Sequence, residues 1–475
     1  MAVRPGMTDR TCDVAIIGAG TAGLAAERAA RTNGAATLLI DPAFAGTTCT
    51  TVGCMPSKLL IAAGQAAHAA RHAQVFGVRA EPVVDGAAVM ARLRALRDGF
   101  VAGVKAEFEK LPKGTILKGR ARFDGAGKLA IDDGTSVTAK AVVIAAGARP
   151  SVPDFLSEVG HAVLTNETLF ELEALPGSVG VIGAGPLGLE LAQALARLGV
   201  DVAVFDEGES LAGLEDEAIA QSLRQCLEAE FAVHLGVKLS AKASGKQVRL
   251  SWTGMSRGDA TFDHILAAAG RPPQLADLGL ETTGLALDKH GAPKTDPRTM
   301  QCGDQAIFIA GDAEHGRPVL HEAQAEGTIA GRNAARFPEV KPGRRMPPLS
   351  IMFTSPAMAR VGEVPEGAAT VRGAASYEDQ GRAKVFATNA GCVKIDADAK
   401  DGRLLAVQMV GPAVEHSAHL FALAIDQGLT ADQMLAMPFY HPTYEEGLKP
   451  ALRAICDAIS APTASDRDDG FMPGG

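Results

Sequence analysis

The sequence predicts an α/β chain built on two βαβ units. Two glycine-rich turns in the same register, a helical stretch after each, and an acidic residue closing both units at the same distance carry that expectation. In the first unit the apolar run Asp13–Ile17 enters Gly18-Ala19-Gly20-Thr21-Ala22-Gly23, an alanine-rich helical stretch reaches Gly34, and Thr37–Ile40 ends in Asp41. In the second, Ser178–Ile182 enters Gly183-Ala184-Gly185-Pro186-Leu187-Gly188, a helical stretch reaches Gly199, and Val202–Phe205 ends in Asp206. Both copies place the acid (Asp41, Asp206) 18 positions after the last glycine (Gly23, Gly188). In such a unit the first glycine makes a tight turn, the second lets backbone N–H groups approach a pyrophosphate, and the third lets helix pack on strand. The helix N-terminus then faces phosphates, and the acid can accept from a ribose hydroxyl. With 53 glycines in the chain, one such turn would say little; two in matching register say much more.

Composition bounds the rest. At 475 residues the chain is long enough for three or four domains, and 47% hydrophobic with 21% charged residues describes a globular protein. A net charge of −9 and a pI near 5.7 make no electrostatic case for nucleic acid or an anionic membrane. No apolar run approaches the roughly 20 residues a membrane helix needs. The residues before Asp13 are too few and too polar for a signal peptide, so cytoplasmic residence is expected.

Seven cysteines, Cys12, Cys49, Cys54, Cys226, Cys302, Cys392 and Cys456, are no secreted disulfide framework. Only Cys49 and Cys54 lie close in sequence, and in a reducing compartment such a pair is transient and catalytic. The alternatives are two buried cysteines or half a zinc site; no second CxxC or paired histidine lies nearby, so no metal is expected. Pro56 suits the first turn of a helix running on through Leu59 and Leu60. A thiolate just before that N-terminus, with Lys58 one turn away, is favoured by the helix dipole and the cation, which marks Cys54 as the low-pKa thiol. Cys49, on the looser side, is the candidate to meet an outside thiol.

The segment from Gly46 through Cys49 and Cys54 to Lys58 resembles the active-site signature of the flavoprotein disulfide reductases, which include dihydrolipoamide dehydrogenase, glutathione reductase and mercuric reductase. Val143–Pro150, with Gly147, and Leu266–Pro273, with Gly270, are similar to the segments that close the family's two nucleotide units. Ile307–Asp312 resembles its second flavin motif, whose aspartate binds the ribityl chain, and Tyr440–Glu446 resembles its catalytic histidine–glutamate motif. Lys58 and Glu190 match its ion pair beside the flavin, although each could equally be a helix-surface charge. Glu446 can orient the His441 ring and raise its basicity, although Thr443–Glu446 also reads as a capping box that needs no catalysis. A cap on the next helix is the lesser alternative for Asp312, and His321 falls where the family approaches the flavin ring, although plain packing accounts for it as well. The chain departs from the pattern at Thr47, where a glycine is usual, at Pro186-Leu187, and at Tyr440; residues 466–475 lack the vicinal cysteines of mercuric reductases.

The resemblance implies two Rossmann-like dinucleotide-binding domains of glutathione-reductase type plus a C-terminal α+β dimerisation domain. The expected parts are 1–150 binding FAD and carrying the redox disulfide, 151–272 binding NAD, 273–345 completing the FAD domain, and 346–475 forming the interface. Lys341–Pro348, polar and proline-rich, reads as the last boundary. Beyond it two strands around an Asp-Gly turn and a helix over 416–427 are expected. Gly18, Gly20, Gly23, Asp41, Lys58, Gly147 and Asp312 would serve FAD. Gly183, Gly185, Gly188, Glu190, Asp206 and Gly270 would lie on the NAD side. The expected activity is transfer of two electrons between a dihydrolipoamide-like dithiol, free or on a lipoyl domain, and NAD, in a homodimer with shared active sites. A related disulfide or quinone reductase, or a flavin-bearing redox sensor, is the alternative.

Overall fold

The computed structural model describes residues 9–461, so the tail segment 466–475 lies outside the described residues. The described chain divides into two compact units. One comprises the residues up to 56 with 92–151 and 270–345; the other comprises 57–91, 152–269 and the residues from 346 on.

The first unit is organised by a seven-stranded sheet. Ile116–Lys118, Thr37–Asp41, Asp9–Ile17 and Ser136–Ile144 run parallel, and Ile307–Ile309 pairs parallel with the last residues of Ser136–Ile144. The first residues of that strand instead pair antiparallel with Lys128–Ile131, which leads to Ala121–Phe123. Successive side chains of a strand point to opposite faces, and both faces here are covered. Val14 and Ile16 join a core with Ala26, Phe308 and Ala330, while Ala15 and Ile17 join another with Phe123, Leu129 and Ile307. Helices Thr21–Thr32 and Leu320–Arg336 pack through small residues. A Cβ on Gly327 would sit 2.2 Å from the Ala22 carbonyl oxygen, and one on Gly331 would sit 2.1 Å from that of Ala26.

In the second unit a five-stranded parallel sheet is ordered Ala232–His234, Asp201–Phe205, Ser178–Ile182, His264–Ala267, Val163–Leu164. A three-stranded antiparallel sheet, Val237–Ser244, Gln247–Gly254 and Gly258–Phe262, packs on it through Phe205, Trp252 and Phe262. Five further strands form a separate antiparallel sheet in the order Leu349–Met352, Ala357–Gly362, Leu404–Gly411, Cys392–Asp398, Thr370–Ser376. The two strands expected around an Asp-Gly turn are its Cys392–Asp398 and Leu404–Gly411. The expected helix is Val414–Asp426. Phe421 of that helix and Leu452 and Ile455 of helix Lys449–Ala458 complete the core over this sheet.

Candidate active site

The two glycine turns are built alike. Gly18 and Gly183 have φ of +104° and +113°, a region L side chains rarely adopt. A Cβ on Gly23 would fall 1.8 Å from the Gly18 carbonyl oxygen, and one on Gly188 would fall 2.1 Å from that of Gly183. The first and third glycines are thus demanded by the chain itself. The middle ones are not: a Cβ on Gly20 or Gly185 meets nothing within 4 Å. These residues precede helices Thr21–Thr32 and Pro186–Arg197, each without a side-chain cap or an acidic residue in its first turn. A helix N-terminus without a side-chain cap, beside a glycine with room at its Cβ position, fits a pyrophosphate in each turn. Gly147 and Gly270, at φ of +71° and +117°, likewise have no protein atom near a Cβ.

The closing acids match as well. Asp41 accepts from Ala19 N–H at 3.0 Å and Ala43 N–H at 2.9 Å; Asp206 accepts from Ala184 N–H at 2.6 Å and Gly208 N–H at 2.7 Å. Each carboxylate therefore ties its own glycine turn to the end of the next strand. The pattern alone pointed only to a ribose contact.

Thr47 is buried, extended at φ −92°, and caps the one-turn helix Thr48–Thr51 by accepting from Thr50 N–H. That conformation suits a threonine and asks for no glycine. Half-buried Cys49 lies in this short helix, and exposed Cys54 is the first residue of helix Cys54–His72, one position further in than the sequence suggested. Between them Gly53 closes the chain on itself, since a Cβ there would be 2.8 Å from the Thr48 carbonyl oxygen. The long helix has no acidic residue in its first turn to oppose a thiolate at its N-terminus. By contrast Cys302 and Cys456 are buried, and burial pushes their thiols up to about 12 and about 11.

Lys58 and Glu190, far apart in sequence, meet within the second unit. Lys58 Nζ lies 2.8 Å from Glu190 Oε2, and Glu190 Oε1 accepts from Phe353 N–H at 2.8 Å. Lys58 Nζ also stands 4.5 Å from the centre of the Phe353 ring, so the buried carboxylate has a partner on each oxygen, as a buried charge requires.

His441 and Glu446 also meet in that unit. His441 Nδ1 is 3.2 Å from both Glu446 oxygens, and Glu446 Oε2 additionally accepts from Thr443 N–H at 3.0 Å. One half of the capping box thus exists, but it coexists with the imidazole contact. The following 3₁₀ turn Glu445–Leu448 begins without a side-chain cap. The His441 side chain is 45% exposed while that of Glu446 is 7% exposed, so the ring keeps access to solvent while the carboxylate at its Nδ1 is enclosed. Tyr440 beside it is 84% exposed.

Asp312 lies inside the 3₁₀ turn Gly311–Ala313 and does not cap helix Leu320–Arg336, whose N-cap is Val319. His321 is exposed in the first turn of that helix. Three contributors escaped the sequence reading: Phe353 on Glu190, Gln380 on the loop of His441, and Glu326. Buried Glu326 accepts from Gly311 N–H at 2.8 Å and is joined at 2.9 Å by Arg345 of the proline-rich segment. Each pairing spans from 15 to 163 positions and leaves no local signature.

Comparison with known proteins agrees with the fold described above. The family described as Pyridine nucleotide-disulphide oxidoreductase matches residues 12–327, and its dimerisation domain matches 349–452. The chain is 30% identical to the dihydrolipoyl dehydrogenase of Halobacterium salinarum, over 94% of this chain and 97% of the relative. It is 33% identical to the mercuric reductase of Streptomyces lividans, again over 94% and 97%. The HOCl-induced flavoprotein disulfide reductase RclA from Escherichia coli shares the fold with a TM-score of 0.79 at 22% identity, over 93% of this chain and 99% of that one.

Proposed function

The chain belongs to the pyridine nucleotide-disulphide oxidoreductase family, and on that premise we propose that it moves two electrons between a dihydrolipoamide-like dithiol and NAD through the Cys49–Cys54 pair. The family uses FAD and NAD(P). Bound FAD would supply the two-electron relay between the cysteine pair and the nicotinamide. Gly18, Gly20, Gly23, Asp41, Lys58, Gly147 and Asp312 would hold it. The second glycine turn, with Asp206 and Gly270, would hold NAD.

The observation that carries the reading is the His441–Glu446 pair. Oxidising a dithiol means removing protons, and a carboxylate that accepts from Nδ1–H leaves Nε2 as the atom that takes them. His441 takes a proton from one substrate thiol. The thiolate attacks Cys49 Sγ, the Cys49–Cys54 bond breaks, and Cys54 leaves as a thiolate stabilised by its helix N-terminus. The second substrate thiol then attacks the first substrate sulfur and passes its proton to the departing Cys49, which releases the oxidised substrate and leaves both cysteines reduced. In this reading His441 serves the cysteines of the other protomer in a homodimer, the assembly that the matched dimerisation domain supports.

A related disulfide or quinone as physiological acceptor is the second reading. The strongly exposed Tyr440 next to His441 favours it, because it alters the approach to the base. Anaerobic titration of the flavin-loaded protein with NADH, followed by a panel of lipoamide, other small disulfides and quinones, tests both. Rapid lipoamide turnover supports the first reading. Turnover confined to another acceptor class removes lipoamide.

A further inference from the structure

The geometry points to Gln380 as the positioning residue of the His441–Glu446 pair, acting through Thr443. The inference rests on the reading of His441 as the base.

The segment 438–442 carries no helix or strand of its own, so something outside must fix it. Gln380, 5% exposed, holds the residue that follows this segment, Thr443, with one end of its amide and its own short helix with the other. Its Oε1 accepts from Ala383 N–H at 2.7 Å, capping the short helix Gly381–Val385, and its Nε2 donates to the Thr443 carbonyl at 2.7 Å. Thr443 is thereby held on both sides, with its carbonyl on Gln380 and its N–H on Glu446 Oε2. The same carboxylate faces His441 Nδ1. A packing contact reinforces the chain of bonds: a Cβ on Gly447 would lie 3.0 Å from the ring of buried Tyr377 and 3.1 Å from Gln380 Cγ. The loop after Glu446 therefore seats directly on these two side chains.

Only a side chain that accepts and donates at once can satisfy Ala383 N–H and the Thr443 carbonyl together. The margin downstream is thin. At 3.2 Å the Nδ1–Glu446 contacts stand at the long limit of an N–H···O bond, so a shift of a few tenths of an ångström releases the ring. A released ring loses its fixed tautomer and part of its basicity, which costs proton transfer and leaves substrate binding alone.

The test uses the flavin-loaded homodimer with Gln380→Glu, which keeps the shape but turns an acceptor toward the Thr443 carbonyl, and with Gln380→Met, which removes both bonds. Each variant is assayed for dihydrolipoamide oxidation and for NADH-driven ferricyanide reduction, a reaction that needs no base on a dithiol. His441→Ala is run beside them. General base catalysis is worth about 10²–10⁴-fold, and weakened orientation should remove part of that. The expected result is a kcat for the dithiol lower by about tenfold in both variants, with KM within about twofold and ferricyanide reduction within about twofold of wild type. Unchanged dithiol kcat in either folded variant overturns the inference, as does equal loss of both activities, which would mark Gln380 as structural only. If one variant fails to load flavin the other decides. If His441→Ala itself oxidises dihydrolipoamide normally, the reading of His441 as the base falls first, a result distinguishable from failure of the Gln380 link.

Discussion

Asp206 should set the choice between NAD and NADP, and charge explains why. Its carboxylate is fixed by Ala184 and Gly208 N–H groups at 2.6 and 2.7 Å, and exposed Glu207 and Glu209 follow it. Phe205–Leu211 contains no arginine to receive a phosphate. A carboxylate hydrogen-bonding a ribose 2′-hydroxyl would stand about 5 Å from a 2′-phosphate dianion in the same place, where effective dielectrics of about 40–80 give a repulsion of about 2–3 kcal/mol. Salt near physiological strength, with a Debye length of about 8 Å, screens roughly half of it. The expected wild-type preference for NADH over NADPH in kcat/KM is therefore at least about tenfold, and larger at low salt. Asp206→Asn removes the charge while retaining one acceptor for the turn. It should abolish most of the preference, chiefly by improving NADPH, and flatten its salt dependence. Steady-state kinetics with both cofactors at two ionic strengths measure this directly. Equal efficiency in the wild type, or a preference untouched in Asp206→Asn, would refute the electrostatic reading of the second nucleotide turn.

Three further outcomes are expected. Cys54 opens the helix and Cys49 precedes it, so Cys49→Ser should retain a long-wavelength thiolate–flavin absorbance but lose disulfide reduction, and Cys54→Ser should lose both. A Cys49→Ser protein that reduces disulfides normally would sink the assignment. Doubly tagged heterodimers of Cys54→Ala and His441→Ala chains should recover close to half the wild-type dithiol activity while each parent homodimer is nearly inactive. Activity no higher than the parents would mean that the sites are not shared. Burial, with Glu314 and Glu322 adding to it, pushes the Glu326 carboxyl up from 4.5 to about 7 against the pull of Gly311 N–H and Arg345. The folded state therefore holds a proton that the unfolded chain releases. The stability this contributes is complete below about pH 4.5 and is lost as pH rises through about 7, on the order of 3 kcal/mol at most. Glu326→Gln should consequently gain melting temperature relative to wild type as pH rises through that window, and a constant difference across it would disprove the linkage.

What was legible in the chain was whatever its physics keeps local. The glycine turns, their helices and the acids that close them repeat within about 30 residues, the span of a βαβ unit, so register alone exposed both. The cysteine segment was legible for the same reason, because thiol, proline and lysine fall on one helix. Partners brought together by the tertiary fold were not. The second partner of Glu190 is a backbone N–H 163 positions away, and the clamp on Thr443 comes from Gln380, 63 positions earlier. Neither residue type carries a periodic or motif signal. Between these extremes lie residues whose motif was visible but whose role was only half so. Glu446 read as a choice between a helix cap and a partner for His441, yet a carboxylate has about four acceptor sites, and the fold spends one on Thr443 N–H while both oxygens face the ring. Asp41 and Asp206 read as ribose acceptors, yet each also holds the turn that a pyrophosphate would occupy. The same carboxylate that would bind one end of a nucleotide thus keeps the receptor for the other end in shape. An Asp206 variant must therefore be judged by its ratio between two nucleotides, since loosening of the shared turn weakens both and only the lost charge separates them.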